Sequence, residues 1–258
     1  MKKLTFPLII LFIALLIVIN YYAYKSPKSK QLITQNKVHT IVNDQKLYVD
    51  LYSNYQSPFH NKEAIETVYL EDKKGENRWL LEILSISKEA KYEYLFETYT
   101  NYLFCFSLPH LTTNLEMSDA YLKVILKNGE VGSFLIGSFN FYYQTDQNLA
   151  IASLHATKKN DLLEIETLSL KLELAEDIKV NYLKVGNYIY YYDQVLRINE
   201  TLIITIPSLM KIADSLSVII NYESHNQTYL EALPHFIFFE NYENPLSYGI
   251  LNNVYPFN

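Results

Sequence analysis

Past residue 40 the chain alternates. Leu168, Leu170, Leu172 and Leu174 are separated by Ser169, Lys171 and Glu173, so a strand places every leucine on one face and every polar group on the other, whereas a helix would scatter them. The same period of two runs through Leu47, Val49 and Leu51, through Trp79, Leu81 and Ile83, and through Leu122, Val124 and Leu126. It recurs at Tyr188, Tyr190 and Tyr192 and at Val218, Ile220 and Tyr222. Enrichment in Tyr, Ile, Val and Phe agrees with strands. Asp161 to Ala175, rich in Leu and Glu, is the one stretch where a helix competes. The pattern predicts a mainly β protein.

The N-terminus is patterned differently. No charged residue occurs from Leu4 to Tyr24, and a helix over that run is about 30 Å long, the thickness of a hydrocarbon core. Lys2 and Lys3 in front of it would also suit a cleaved signal peptide. Cleavage, however, needs small residues at the last and third-last positions, and Tyr21 occupies the place that should pair with Ala23. No cysteine follows the run, which excludes a lipoprotein anchor, and Tyr21, Tyr22 and Tyr24 form an interfacial aromatic belt. An uncleaved transmembrane helix is expected, followed by a basic stalk from Lys25 to Lys30. Lysines on both sides nearly cancel the charge rule for orientation. With three residues before the apolar run and over 200 after it, we expect a signal anchor in the cell membrane, single-pass, with the bulk of the chain extracytoplasmic.

Five lysines are the only charges in the first 30 residues, so the rest holds 17 Lys plus Arg against 28 Asp plus Glu, a net of −11. That is the wrong sign for nucleic acid or for direct binding of the exported part to an anionic membrane. A single cysteine, Cys105, excludes intrachain disulfides and cysteine-rich zinc sites, and its apolar neighbours Phe104 and Phe106 mark it as a small buried hydrophobe.

A weak internal repeat divides the exported part. Ile65 to Leu70 resembles Ile178 to Leu183, Leu103 to Pro109 resembles Leu202 to Pro207, and Tyr121 to Leu126 corresponds to Leu216 to Asn221. Phe134 and Leu135 correspond to Tyr229 and Leu230, and Phe141 to Phe236. A repeat of about 100 residues holding about seven short strands has the size of an immunoglobulin-like β-sandwich. The expected organisation is an anchor and stalk over 1–30, a first sandwich over 31–145, and a second over 146–258. The aromatic tail from Asn241 to Asn258 is expected to pack back on the second. One larger continuous β domain is the alternative. The Cys and Trp pattern of true immunoglobulin domains is absent, so only the architecture is inferred.

Chemistry is sparse. His39, His60, His110, His155, His225 and His235 form no metal-ligand spacing, and they read as turn or strand-end residues. There is no G-x-S-x-G and no glycine-rich phosphate loop among only six glycines, and no D-x-D-x-D-G calcium run. Asp72 and Glu76 around Gly75 read as a charged hairpin tip. No catalytic residue, cofactor or metal ligand is assigned. The compositional oddity is 24 tyrosines. Tyr188, Tyr190 and Tyr192 share one strand face and are the candidate face for a ligand or partner, with core-edge packing as the plainer reading. The expected function is a non-enzymatic binding, adhesion or envelope-assembly component whose partner is another envelope or surface protein. The alternatives are a carbohydrate-binding module using the tyrosine face for a glycan, and an envelope hydrolase with an unrecognised carboxylate pair.

Overall fold

The computed structural model describes residues 12–16, 29–43, 46–144, 148–158, 165–186, 188–206, 215–238, 244–247 and 251–257. Apart from one helical turn over 12–16, the expected transmembrane run lies outside them. Among the described residues no helix is long and apolar enough to cross a membrane. The protein is mainly β, and its strands stack as sandwiches with an immunoglobulin-like order.

The first set of strands is β1 (Lys30–Gln35), β2 (Lys37–Val42), β3 (Leu47–Ser53), β4 (Ile65–Asp72), β5 (Arg78–Tyr94), β6 (Glu97–Ser107), β7 (Leu115–Leu126) and β8 (Val131–Tyr142). With a C-terminal strand they form one sheet in the order β16-β1-β3-β6-β5-β4-β7-β8-β2. The 17-residue β5 folds that sheet on itself. Its first part, through Leu81, pairs with β4, and from Glu82 onward it pairs with β6. The two layers that result enclose Leu51, Leu70, Phe104, Phe106, Leu122, Val124 and Phe134, each at most 1% exposed. Cys105 is buried in β6.

The second set is β9 (Ala150–Lys158), β10 (Ile165–Glu173), β11 (Ile178–Val185), β12 (Tyr188–Leu196), β13 (Thr201–Thr205), β14 (Ser215–Ser224) and β15 (Gln227–Phe238). It forms a three-stranded sheet, β13-β10-β9, and a four-stranded sheet, β12-β11-β14-β15, around a second core. Leu168, Leu170 and Leu172 face that core from β10. The stretch where a helix competed is therefore a strand over 165–173, because its leucines alternate with polar groups.

Each repeated segment occupies the same place in its set. Ile65 to Leu70 and Ile178 to Leu183 lie in β4 and β11, which pair with β5 and β7 and with β12 and β14 respectively. The segments beginning at Leu103 and Leu202 enter β6 and β13, each beside the second strand of its set's first sheet, β3 or β10. Residues 145–147, at the expected break, lie outside the described residues.

Three features have no counterpart in the sequence reading. Strand β2 leaves the layer of β1 after Asn36 and pairs in parallel with β8, from Lys37 opposite Gly137 to Val42 opposite Tyr142. One face of β2 gives Ile41 to the first core and the other gives Val38 to the second. Next, the tail does not pack on the second sandwich as expected. Asn252–Phe257 forms β16 and pairs antiparallel with β1, from Lys30 opposite Phe257 to Gln35 opposite Asn252. Tyr255 and Phe257 pack against the first core, and Leu246, in a 3-10 turn at Pro245–Ser247, is fully buried with Ile33, Tyr52 and Tyr99. The reason is that β1 offers an open hydrogen-bonding edge, and beside it Tyr52 and Tyr99 of the same sheet receive Leu246. Finally, the two sets touch through Val42, Tyr142, Ile219 and Ala232. At this junction Lys184 donates to Glu116 (2.6 Å), which also accepts from the Tyr142 hydroxyl (2.9 Å).

Candidate functional site

Among the described residues strand β12 is an edge of its sheet, and its two side-chain faces differ sharply. Tyr188 stands opposite Val185 and Tyr190 opposite Leu183, both buried, and Leu196 stands opposite buried Ile178. Tyr188, Tyr190 and Tyr192 are accordingly half-buried and packed against the second core, with the Tyr190 and Tyr192 rings 6.4 Å apart. They are inward residues at the rim of a core, not an open platform.

The outward face of β12 belongs to Ile189, Tyr191 and Val195, which are 40%, 75% and 54% exposed. Tyr191 meets Tyr182 of β11 edge to face at 6.2 Å, and Leu230 of β15 and Asn221 of β14 continue the surface. At one end Lys179 bridges Asp193 (3.4 Å) and Glu223 (3.5 Å). At the other end the face is taken by the junction, where Ile219, Ala232 and Lys184 meet the first set. The run Tyr188 to Tyr192 puts aromatic groups on both faces. Alternation alone does not tell which face is inward, so Tyr191 was the signal the sequence reading passed over.

Among the described residues, two of the hollows lie away from this face. One of about 480 Å³, where β5 changes partner, is lined by Ile65, Val68, Leu80 and Leu81 and by Glu66 and Glu82. The other, about 720 Å³, is lined by Ser53, Asn54, Lys62, Lys88, Lys91, Thr98, Thr100 and Tyr102, with His60 at its base. Among the described residues no three or more His, Cys, Asp or Glu side chains gather where they could hold a metal ion.

His60 ends a 3-10 turn at Pro58–His60 that Ser57 caps, and its ring lies 3.7 Å from that of Tyr102. Nε2 accepts from the Ser57 N–H at 2.7 Å, which requires a neutral ring. Burial, aided by the charge of Lys88 and against a hydrogen bond to the Tyr55 backbone, lowers its pKa from 6.5 to about 4. The folded state therefore binds this proton less readily than the unfolded chain. Its contribution to stability is complete above pH 6.5 and is lost progressively as pH falls from 6.5 to about 4. The urea midpoint is expected to decline across that window, and His60→Gln to flatten the decline; an equal decline in the variant would refute the assignment. Asp50 acts lower on the scale. Burial alone would raise its pKa, but Lys37 (2.9 Å) and Asn101 (2.8 Å) outweigh burial and hold it below the ordinary carboxylate range.

Buried carboxylates are otherwise structural. Glu71 is paired with Arg78 (2.7 Å) and Lys123 (3.5 Å). Glu231, 2% exposed, accepts from the backbone of Asn148 and Leu149 and from the Tyr222 hydroxyl, fastening the start of β9 to β15.

Fold and face together define a β-sandwich protein with an immunoglobulin-like strand order and an open, partly aromatic sheet face. Among solved structures, a DUF4785 family protein from Legionella pneumophila aligns over 81% of this chain and 57% of its own, at 11% identity and a TM-score of 0.26. The fibronectin(III)-like modules of Clostridium thermocellum CbhA align over 80% of this chain and 93% of theirs, at 7% identity and 0.22. The Salmonella enterica SafA pilin in complex with the SafB chaperone aligns over 81% and 98%, at 7% identity and 0.23. This chain thus spans little more than half the length of the Legionella protein, and at these scores none of the three carries a functional argument. No protein-family model and no curated protein matches the sequence.

Proposed function

We propose that the chain is a single-pass, membrane-anchored, extracytoplasmic protein that displays two tandem immunoglobulin-like modules and acts as a non-catalytic binding, adhesion or envelope-assembly component. The observation that carries the reading is the outer face of β12, where Ile189, Tyr191 and Val195 stand exposed on a hydrogen-bonded sheet beside Tyr182. Exposed aromatic groups on a rigid support favour a partner protein, because they bury large areas at small entropic cost. The glycan reading rested on Tyr188, Tyr190 and Tyr192 facing outward, and with those rings against the core Tyr191 is the one tyrosine of β12 that remains open to stack on a sugar. The anchor rests on the apolar run Leu4 to Tyr24 and its tyrosine belt.

The test separates the two faces of β12. In pull-downs from solubilised membranes, Tyr191→Ala is expected to lower recovery of a co-purifying envelope protein about tenfold while leaving the urea midpoint unchanged. Tyr190→Ala, which opens the core rim, is expected to lower the stability by about 1–2 kcal/mol and the midpoint with it. Equal recovery with Tyr191→Ala would remove this face from the proposal.

A further inference from the structure

At the far end of the first sandwich, β5 and β6 are joined by only two residues, Leu95 and Phe96, between the paired Tyr94 and Glu97. Both have left-handed backbone, with φ of 48° and 63°. A two-residue hairpin with two positive φ angles suits Asn-Gly, and large side chains there are strained. Leu95 is nevertheless 72% exposed and Phe96 98% exposed. Chain reversal alone explains neither the strain nor the apolar surface.

The position of the turn accounts for the apolar surface. Asn54 joins three segments here: its Oδ1 accepts from the Gln31 N–H (2.8 Å), and its side-chain amide donates to the Ser29 carbonyl (2.9 Å) and to Glu97. Ser29 is therefore one side chain away from the residue that follows Phe96. The apolar run ends at Tyr24, five residues earlier, a reach of at most about 17 Å for extended chain. The hairpin tip thus lies at the end of the molecule from which the anchor departs.

Charge does not oppose it. In a part of the chain that is strongly acidic, Lys30, Lys88 and Lys91 at this end offset Glu89, Glu93 and Glu97. Those carboxylates already accept hydrogen bonds, Glu89 from the Ser87 hydroxyl (2.5 Å), Glu93 from the Thr98 hydroxyl (2.5 Å) and Glu97 from Asn54. The apolar tip is thus carried by a near-neutral end, without the net negative charge that an anionic bilayer surface would repel.

We infer that the β5–β6 hairpin is a second membrane contact, in which Leu95 and Phe96 enter the lipid interface beside the anchor and hold the first sandwich at a fixed attitude to the bilayer. The inference rests on the anchored reading proposed above. Insertion removes two large apolar side chains from water, and Lys91 then lies at the depth of the phosphates.

The full chain is reconstituted into phosphatidylcholine vesicles with and without bromine on the acyl chains. Phe96→Trp reports the tip and Phe12→Trp reports the anchor, each against the wild-type chain, whose single tryptophan, Trp79, lies at the opposite end of β5. The side chain at 96 is nearly fully exposed, so the substitution leaves the fold intact, which circular dichroism checks. Emission added at position 96 is expected to fall about twofold or more in brominated lipid, as does that added at position 12. Quenching at 12 without quenching at 96 overturns the inference and leaves the anchor standing, with the tip then facing a protein. Quenching at neither position removes the anchored reading and the inference with it.

Discussion

Replacing Gly137 by alanine is expected to strip β2 from the sandwich and to lower stability by about 3–5 kcal/mol, the range of exceptional single substitutions. Gly137 has φ of +112°, and a Cβ there would lie 1.9 Å from the Lys37 carbonyl oxygen and 2.5 Å from the Lys37 nitrogen. Those are backbone atoms in the first pair of the β2–β8 ladder, so no side-chain rotation relieves the clash. The damage reaches both cores, because β2 lies between them and supplies Ile41 to one and Val38 to the other. Gly129, at φ +84° with nothing within 4 Å of its added Cβ, is the control. Alanine there costs about 1–2 kcal/mol from backbone strain alone. Urea unfolding compares the two, and amide exchange over residues 37–42 locates the loss. Equal midpoints for the two variants would show that the close approach of β2 is not what Gly137 serves.

A chain shortened to residue 243 is expected to lose the cooperative unfolding of its first sandwich, with a midpoint far below that of the whole chain. The missing residues supply the whole of β16 and the buried Leu246. They also close a seam. Strand β2 covers β8 only from Gly137 onward, and just before it the Leu135 N–H donates to the Tyr255 hydroxyl (2.7 Å) while the Leu135 carbonyl accepts from Thr34 (2.5 Å). Without Tyr255 that N–H loses its partner, and the Tyr255 and Phe257 rings leave Phe134 and Phe59, 5.2 and 5.6 Å away. Stabilities of whole domains are about 5–15 kcal/mol, so the loss of a strand, a seam and three apolar anchors together consumes most of that. Amide exchange should rise first in β1 and in the first half of β8. An unchanged midpoint would mean that the tail only decorates the first sandwich.

The two strands behind these effects are those that local sequence does not announce. Lys37 to Val42 reads as an ordinary short strand, and nothing in it specifies a parallel partner about 100 residues away. Asn252–Phe257 holds a proline and two asparagines, which read as tail, yet its Tyr255 and Phe257 alternate as a strand's inward residues do. The hairpin at Leu95 and Phe96 was equally hidden, since large apolar residues contradict the turn chemistry their backbone adopts.

By itself the sequence determined that its alternating runs are strands and which residues of each run lie on a common face. Leu168, Leu170 and Leu172, or Leu122, Val124 and Leu126, have only one way to remove their side chains from water together. Its weak internal repeat suggested a matched order of strands and left one continuous β domain as the alternative. Only the tertiary structure decided which face of Tyr188 to Tyr192 is inward, which edge receives Asn252–Phe257, and where β5 passes from one layer to the other. The physical reason is that alternation is a local consequence of the backbone, identical for either face, whereas the choice of face, edge and partner is made by open hydrogen-bonding edges and unfilled core volume far away in the chain.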